Sequence, residues 1–160
     1  MLNAGDSQRV AELMRETAAA ELLPRFRNLA KHEIREKKPG DLVTVADVAS
    51  EQRLASGLAK ILPGVPVVGE EGVHADPSLV DLIARPGGTC WVVDPLDGTA
   101  NFAAGRDRFA MIICLVRDRK TIGGWILDVP NDRMAAVEKG QGVTLNGVAV
   151  HGKAPVGPPN

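Results

Sequence analysis

No apolar run in the sequence approaches the roughly 20 residues that a membrane-spanning helix needs, and residues 1–9 lack the apolar core of a signal peptide. The sequence therefore predicts a cytoplasmic protein with no membrane partner. Cysteine is nearly absent: Cys90 and Cys114 both lie in strand-like apolar runs, far in sequence from any histidine, and read as buried reduced thiols. His32, His74 and His151 are isolated, without the spacing of a zinc site. Nor is there a charge bias. With 19 basic and 20 acidic residues the net charge is −1, so no nucleic-acid partner is expected, and the short basic clusters 35–38 and 117–120 read as solvated faces. Internal repeats, G-x-G-x-x-G and the Walker lysine are all missing, which excludes the common nucleotide-binding modules.

What remains is a chain of 160 residues with enough apolar content to bury roughly 70% of its unfolded surface as one cooperative domain. We place that domain at residues 1–150, followed by a Pro/Gly-rich disordered tail at 151–160. Asp6 or Ser7 can cap a first helix with apolar positions Val10, Leu13, Met14, Ala18 and Leu22, which Pro24 should kink or restart through Phe26 and Leu29. Residues 32–38 and 42–46, around Pro39-Gly40-Asp41, predict a hairpin. A second helix follows from Val48 with Leu54, Leu58 and Ile61 inward, stopped by Pro63-Gly64. Then come a strand at 65–68, a brief helix at 78–84, a buried strand at 90–93 ending at Asp94, and antiparallel strands at 109–116, 122–128 and 134–138. The fold class is α+β, with helices layered on a mixed or antiparallel sheet.

The chemistry concentrates in Asp94-Pro95-Leu96-Asp97-Gly98-Thr99. An apolar strand delivers Asp94, Pro95 stiffens the chain, and Asp97 returns three residues later, so two carboxylates converge. Two unit charges about 4 Å apart repel by about 4 kcal/mol at the effective dielectric of a protein surface. Magnesium relieves such repulsion, since it takes oxygen ligands and keeps waters that a phosphate displaces. Gly98 allows close approach to the backbone, and N–H groups at a helix starting near Thr99 suit an anion. Glu70 and Glu71, between Gly69 and Gly72 at a strand end, offer a further metal ligand and a supporting carboxylate. Asp47 is either the N-cap of the helix from Val48 or a carboxylate that takes a hydrogen bond from Thr99 and polarises an attacking water.

Asp41-Leu42-Val43-Thr44 with Asp47, Gly69-Glu70-Glu71, the stretch from Asp94 to Phe102, Gly140-Gln141-Gly142 and Leu145-Asn146-Gly147 together resemble the inositol monophosphatase family in order and spacing. The resemblance implies the N-terminal part of a sugar-phosphatase αβαβα sandwich and Mg2+-dependent hydrolysis of inositol monophosphate or a related small phosphate ester. It further implies lithium sensitivity and a homodimer. Glu70, Asp94 and the Leu96 carbonyl would hold one magnesium, and Asp94 with Asp97 a second. Asp47, Thr99 and Glu70 would be catalytic, and Asp97, Gly98 and Thr99 would meet the substrate. Asp97-Gly98-Thr99 also echoes the haloacid-dehalogenase signature, but that chemistry needs a nucleophilic Asp two residues before Asp97, where Pro95 stands, so no phospho-aspartyl enzyme is expected. Family members are longer, and their second half supplies a Trp-Asp motif that completes the second metal site. Trp91 and Trp125 are followed here by Val92 and Ile126, which implies either a truncated product or a partner chain that supplies the missing half, with apolar surface left exposed where the rest would pack. The alternative function is a catalytically weak or inactive remnant that acts as a binding or dimerisation domain.

Overall fold

The period-2 pattern of the central strands builds one seven-stranded sheet in a computed structural model that describes residues 2–3 and 5–152. Its order is β3 (Val67–Gly69), β4 (Thr89–Asp97), β5 (Ala110–Arg117), β6 (Lys120–Asp128), β7 (Arg133–Glu138), β8 (Gly142–Leu145) and β9 (Val148–Val150). Only β3 and β4 run parallel; every other neighbouring pair is antiparallel. Alternate residues Trp91, Val93, Met111, Ile113, Leu115, Trp125, Leu127 and Met134 form the inner face, fully buried against two helices. The expected three antiparallel strands are present, and β8 and β9 extend the sheet beyond them.

The first helix, α1 (Asp6–Thr17), buries Val10 and Met14 but is capped by neither Asp6 nor Ser7. Gly5 holds the cap position, and Asn3 Oδ1 accepts the Gly5 and Asp6 N–H groups. The helix widens into a π-helical turn over Ala18–Leu22, closed by the Leu23 N–H on the Ala18 carbonyl at 2.9 Å. Pro24, lacking an N–H, then ends it. No α-helix restarts through Phe26 and Leu29: the chain turns through Arg27 at φ 61°, and Phe26 joins Phe102 and Phe109 in an aromatic cluster with centroids 4.9–5.6 Å apart.

The expected hairpin is present as β1 (Ile34–Lys38) and β2 (Asp41–Thr44), a ribbon separate from the main sheet. The second helix, α2 (Val45–Ile61), starts three residues earlier than expected because Thr44 is its cap. Two further short helices, α3 (Glu70–Ala75) and α4 (Asp81–Ala84), lead into β4, and α5 (Thr99–Ala103) follows it. No helix among the described residues is long and apolar enough to cross a membrane. Cys90 and Cys114 are free thiols, and burial pushes both up from the ordinary thiol range. Of the expected tail, residues 153–160 lie outside the described residues.

The outer face of the sheet is covered at its β3–β5 end, where Val73, Leu79, Leu82 and Ile83 pack with Val92 and Cys114, and is open over β6 to β9. Val92, Cys114, Gly124, Val137, Val143 and Val150 pair in one cross-strand row, and Asp94, Ile112, Ile126, Ala135, Leu145 and Val148 in the next. Ile126, Val137, Val143, Val148 and Val150 are exposed there, an apolar strip across β6 to β9.

Candidate metal and phosphate site

Parallel pairing of β3 with β4 sets Gly69 opposite Val93, so the next residues, Glu70 and Asp94, leave adjacent strands side by side. Asp94 is not the end of its strand, as the sequence suggested. The ladder continues to Asp97, with three steps on β4 against two on β5 between Asp94 and Asp97. This bulge holds Pro95, the residue that a regular ladder position would not accept, and it re-aims the loop that carries Leu96 and Asp97.

Asp94 is half-buried. Burial, then the negative charge of Glu70, pushes its carboxyl up to about 6, with Asp97 adding to the effect and the Leu96 N–H, bound at 3.2 Å to Asp94 Oδ1, opposing it. Glu70 does not face Asp94 freely. Lys37 Nζ donates to Glu70 Oε1 at 2.8 Å and to Glu71 Oε1 at 3.0 Å. Burial alone would lower the Lys37 ammonium, but these two carboxylates outweigh it and hold it above the usual range. The Lys37 side chain is only 5% exposed, so this member of the 35–38 cluster is not the solvated charge its neighbours suggest. With Glu70 drawn to Lys37 and Asp97 exposed, no three acidic, histidine or cysteine side chains among the described residues already converge as a metal cage.

On the far side of the loop, Asp47 is third in α2 rather than its N-cap, and is 1% exposed. The Thr44 N–H and hydroxyl both donate to Asp47 Oδ2, at 2.7 and 2.6 Å, while Thr44 Oγ1 accepts the Ala46 N–H. The expected N-cap role thus falls to Thr44, while the expected hydrogen bond from Thr99 is present: the Thr99 hydroxyl lies 2.9 Å from Asp47 Oδ1. That hydroxyl is also 2.9 Å from the Leu96 carbonyl, and its single proton serves one acceptor at a time. Burial raises the Asp47 carboxyl above its ordinary value, against the hydrogen bonds from Thr44 and Thr99.

Gly98 caps α5 at φ 88°. A Cβ there would stand 2.7 Å from the Arg108 carbonyl oxygen, so the chain itself requires glycine at this point, whatever a ligand requires. Buried Phe102 anchors α5 and so holds Thr99 in place. One residue escaped the sequence reading: Glu51, on α2, accepts the Glu71 and Gly72 N–H groups at 2.7 and 2.8 Å. Its position one helical turn after Asp47 was the available signal.

The model of the inositol monophosphatase family matches residues 7–157. An inositol-1-monophosphatase of Rhizobium meliloti is 34% identical over 110 residues, covering 69% of this chain and 39% of the relative. The extragenic suppressor protein SuhB of Bartonella henselae superposes with a TM-score of 0.71 at 27% identity, over 91% of this chain and 54% of its own. An inositol monophosphate-bound SaIMPase-II superposes with a TM-score of 0.67 at 25% identity, over 96% of this chain and 51% of its own. The chain thus spans about half or less of the length of the proteins it matches.

Proposed function

The chain belongs to the inositol monophosphatase family, and on that premise we propose that it carries a magnesium-dependent phosphomonoesterase site for inositol monophosphate or a related small phosphate ester. The observation that carries the reading is the adjacency of Glu70, just past the end of β3, to Asp94 on the parallel strand β4, where burial and like charge lift Asp94 to about 6. Hard oxygen donors suit Mg2+, which Glu70, Asp94, the Leu96 carbonyl and Asp97 would hold, with Glu71 in support, once Lys37 releases the Glu70 oxygen it now pairs with. Bound there, magnesium would neutralise the phosphate and lower the pKa of a nearby water.

The chain's own residues would do the rest. Thr99 passes a water proton toward Asp47, whose carboxylate is fixed by Thr44 and so cannot swing away. Gly98 and Thr99 line the phosphate's approach. The water oxygen forms a bond to phosphorus, the ester P–O bond breaks, and the alcohol leaves with a proton. Solvent oxygen-18 should then enter the phosphate and not the alcohol.

The test is phosphate release from inositol monophosphate with and without Mg2+. Magnesium-dependent turnover supports the reading. A folded protein that binds Mg2+ but never turns over favours the other reading, a binding or dimerisation remnant, for which the exposed apolar rows of β6 to β9 speak.

Lys37 supplies a further prediction, because it occupies the Glu70 oxygen that a metal needs. Lys37→Met removes both the competitor and a repelling charge, and we expect Mn2+ to bind about 3- to 10-fold more tightly, about 1 kcal/mol on a partly solvated site. Unchanged or weaker binding in a calorimetric titration would show that Glu70 is not a ligand.

A further inference from the structure

Helix α2 carries two carboxylates one turn apart, and they reach opposite parts of the site. Asp47 meets the Thr99 hydroxyl at 2.9 Å; Glu51 meets the chain on the other side. Glu51 Oε2 accepts the Glu71 N–H at 2.7 Å, and Oε1 accepts the Gly72 N–H at 2.8 Å. These are first-turn donors of α3, which its own helix leaves unpaired. No side chain within α3 or its cap residue serves them.

The fit is also steric. A Cβ on Gly69 would lie 2.2 Å from the Glu51 carboxyl carbon and 2.4 and 2.6 Å from its oxygens, distances that real Cβ atoms do not show. A Cβ on Gly72 would lie 3.2 Å from Glu51 Oε1. The carboxyl group therefore packs flat against the Gly69-Glu70-Glu71-Gly72 turn, with glycine at both ends to admit it. Glu70 sits between a residue held by contact and one held through its N–H, so its own Cα–Cβ direction has little freedom.

We propose that Glu51 is a positioning residue that fixes Glu70 beside Asp94, and that Glu51 and Gly69 are a sterically matched pair. One rigid helix then sets both halves of the site in register, Asp47 for the Thr99 side and Glu51 for the Glu70 side. The inference rests on the reading of Glu70 as a metal ligand. It differs from that reading in placing the control of metal geometry on a residue that touches no metal.

The experiment is titration of the metal-free protein with Mn2+, followed by electron paramagnetic resonance, for wild type, Glu51→Gln, Glu51→Ala, Gly69→Ala, Glu51→Ala/Gly69→Ala and Glu70→Gln. Circular dichroism monitors folding, and near-isosteric Glu51→Gln keeps the test alive should the alanine variant unfold. Gln offers one acceptor oxygen where two are needed, and its NH2 faces an N–H. We expect Glu51→Gln to weaken Mn2+ binding about 10- to 100-fold, as supporting partners of metal ligands do. Gly69→Ala should do the same, yet add little in the Glu51→Ala background, where the space for its methyl is free. Wild-type affinity in folded Glu51→Gln, or an undiminished Gly69→Ala effect without Glu51, overturns the proposal. Wild-type affinity in Glu70→Gln instead overturns the ligand reading beneath it.

Discussion

Asp94→Asn is expected to cut phosphate release by about 10³ or more and, in the same molecule, to stabilise the metal-free protein at pH 8. The first effect follows from the loss of a carboxylate that two metal positions would share, since metal-borne charge stabilisation is worth several kcal/mol and each 1.36 kcal/mol is tenfold in rate. The second follows from the sign of the Asp94 shift. Burial, Glu70 and Asp97 raise the carboxyl from 3.8 to about 6. A carboxyl raised on folding binds its proton more tightly in the folded state, so it costs nothing below about pH 4. The cost grows between about pH 4 and 6 and is complete above. A displacement of this size is worth at most about 3 kcal/mol, and about 1–2 kcal/mol once solvent access to the half-buried group is discounted. Asparagine keeps an oxygen for the Leu96 N–H and carries no charge. Urea titrations in chelator at pH 8 should therefore show the variant more stable by about 1–2 kcal/mol, with the difference gone by pH 4. Magnesium should stabilise the wild type and leave the variant unmoved. A variant less stable than wild type at pH 8 without metal would mean that Glu70 does not load charge onto Asp94.

The parts of this architecture that show in the sequence are those with a strong local cause. Pro39-Gly40 sets the β1–β2 reversal, and the continuous apolar stretch at 90–93 can only be a buried strand. The Asp94–Thr99 loop is readable because its carboxylates, proline and glycine each have a distinct physical reason to be there. Failures occur where one particular side-chain partner decides. Val45-Ala46 reads as the end of a strand, but Thr44 and Asp47 close a capping box with Asp in the place where Glu or Gln is usual, and the helix begins early. Six residues starting Glu-Glu-Gly form α3 with no helical period to show it, because the N–H groups that would fray are held by Glu51. The last two strands, β8 and the edge strand β9, are short, glycine-flanked and largely exposed, so they lack the alternation that marks β5 and β6. Lys37 looks solvated beside Arg35, Glu36 and Lys38 until the hairpin lays it on Glu70 and Glu71. In the same way, Gly98 seems reserved for a ligand until Arg108 is seen to fill the space beside it.

Replacing Asp47 separates what the site needs for folding from what it needs for chemistry. Three donors point at this buried carboxylate: the Thr44 N–H, the Thr44 hydroxyl and the Thr99 hydroxyl. Asparagine has one oxygen for them and turns an NH2 toward the rest. In a site only 1% exposed the abandoned donors find no water. Each buried donor left without a partner costs about 1–3 kcal/mol, and the Thr99 hydroxyl has the Leu96 carbonyl in reserve, so Asp47→Asn should lose about 2–4 kcal/mol of stability. Its activity should fall about 10²- to 10³-fold, the range a general base contributes. Thr99→Val gives the contrast. It keeps the shape of the side chain, leaves the Thr44–Asp47 box intact, and removes only the hydroxyl that links Asp47 to a water. We expect it to cost under about 1 kcal/mol of stability, the net worth of one such hydrogen bond, while activity falls about 10²-fold or more. Denaturant midpoints and initial rates on both variants decide the point. Equal losses of stability and rate across the pair would make Asp47 a helix cap alone. A Thr99→Val enzyme that folds normally and barely turns over leaves proton transfer through Thr99 to Asp47 as the step that both residues serve.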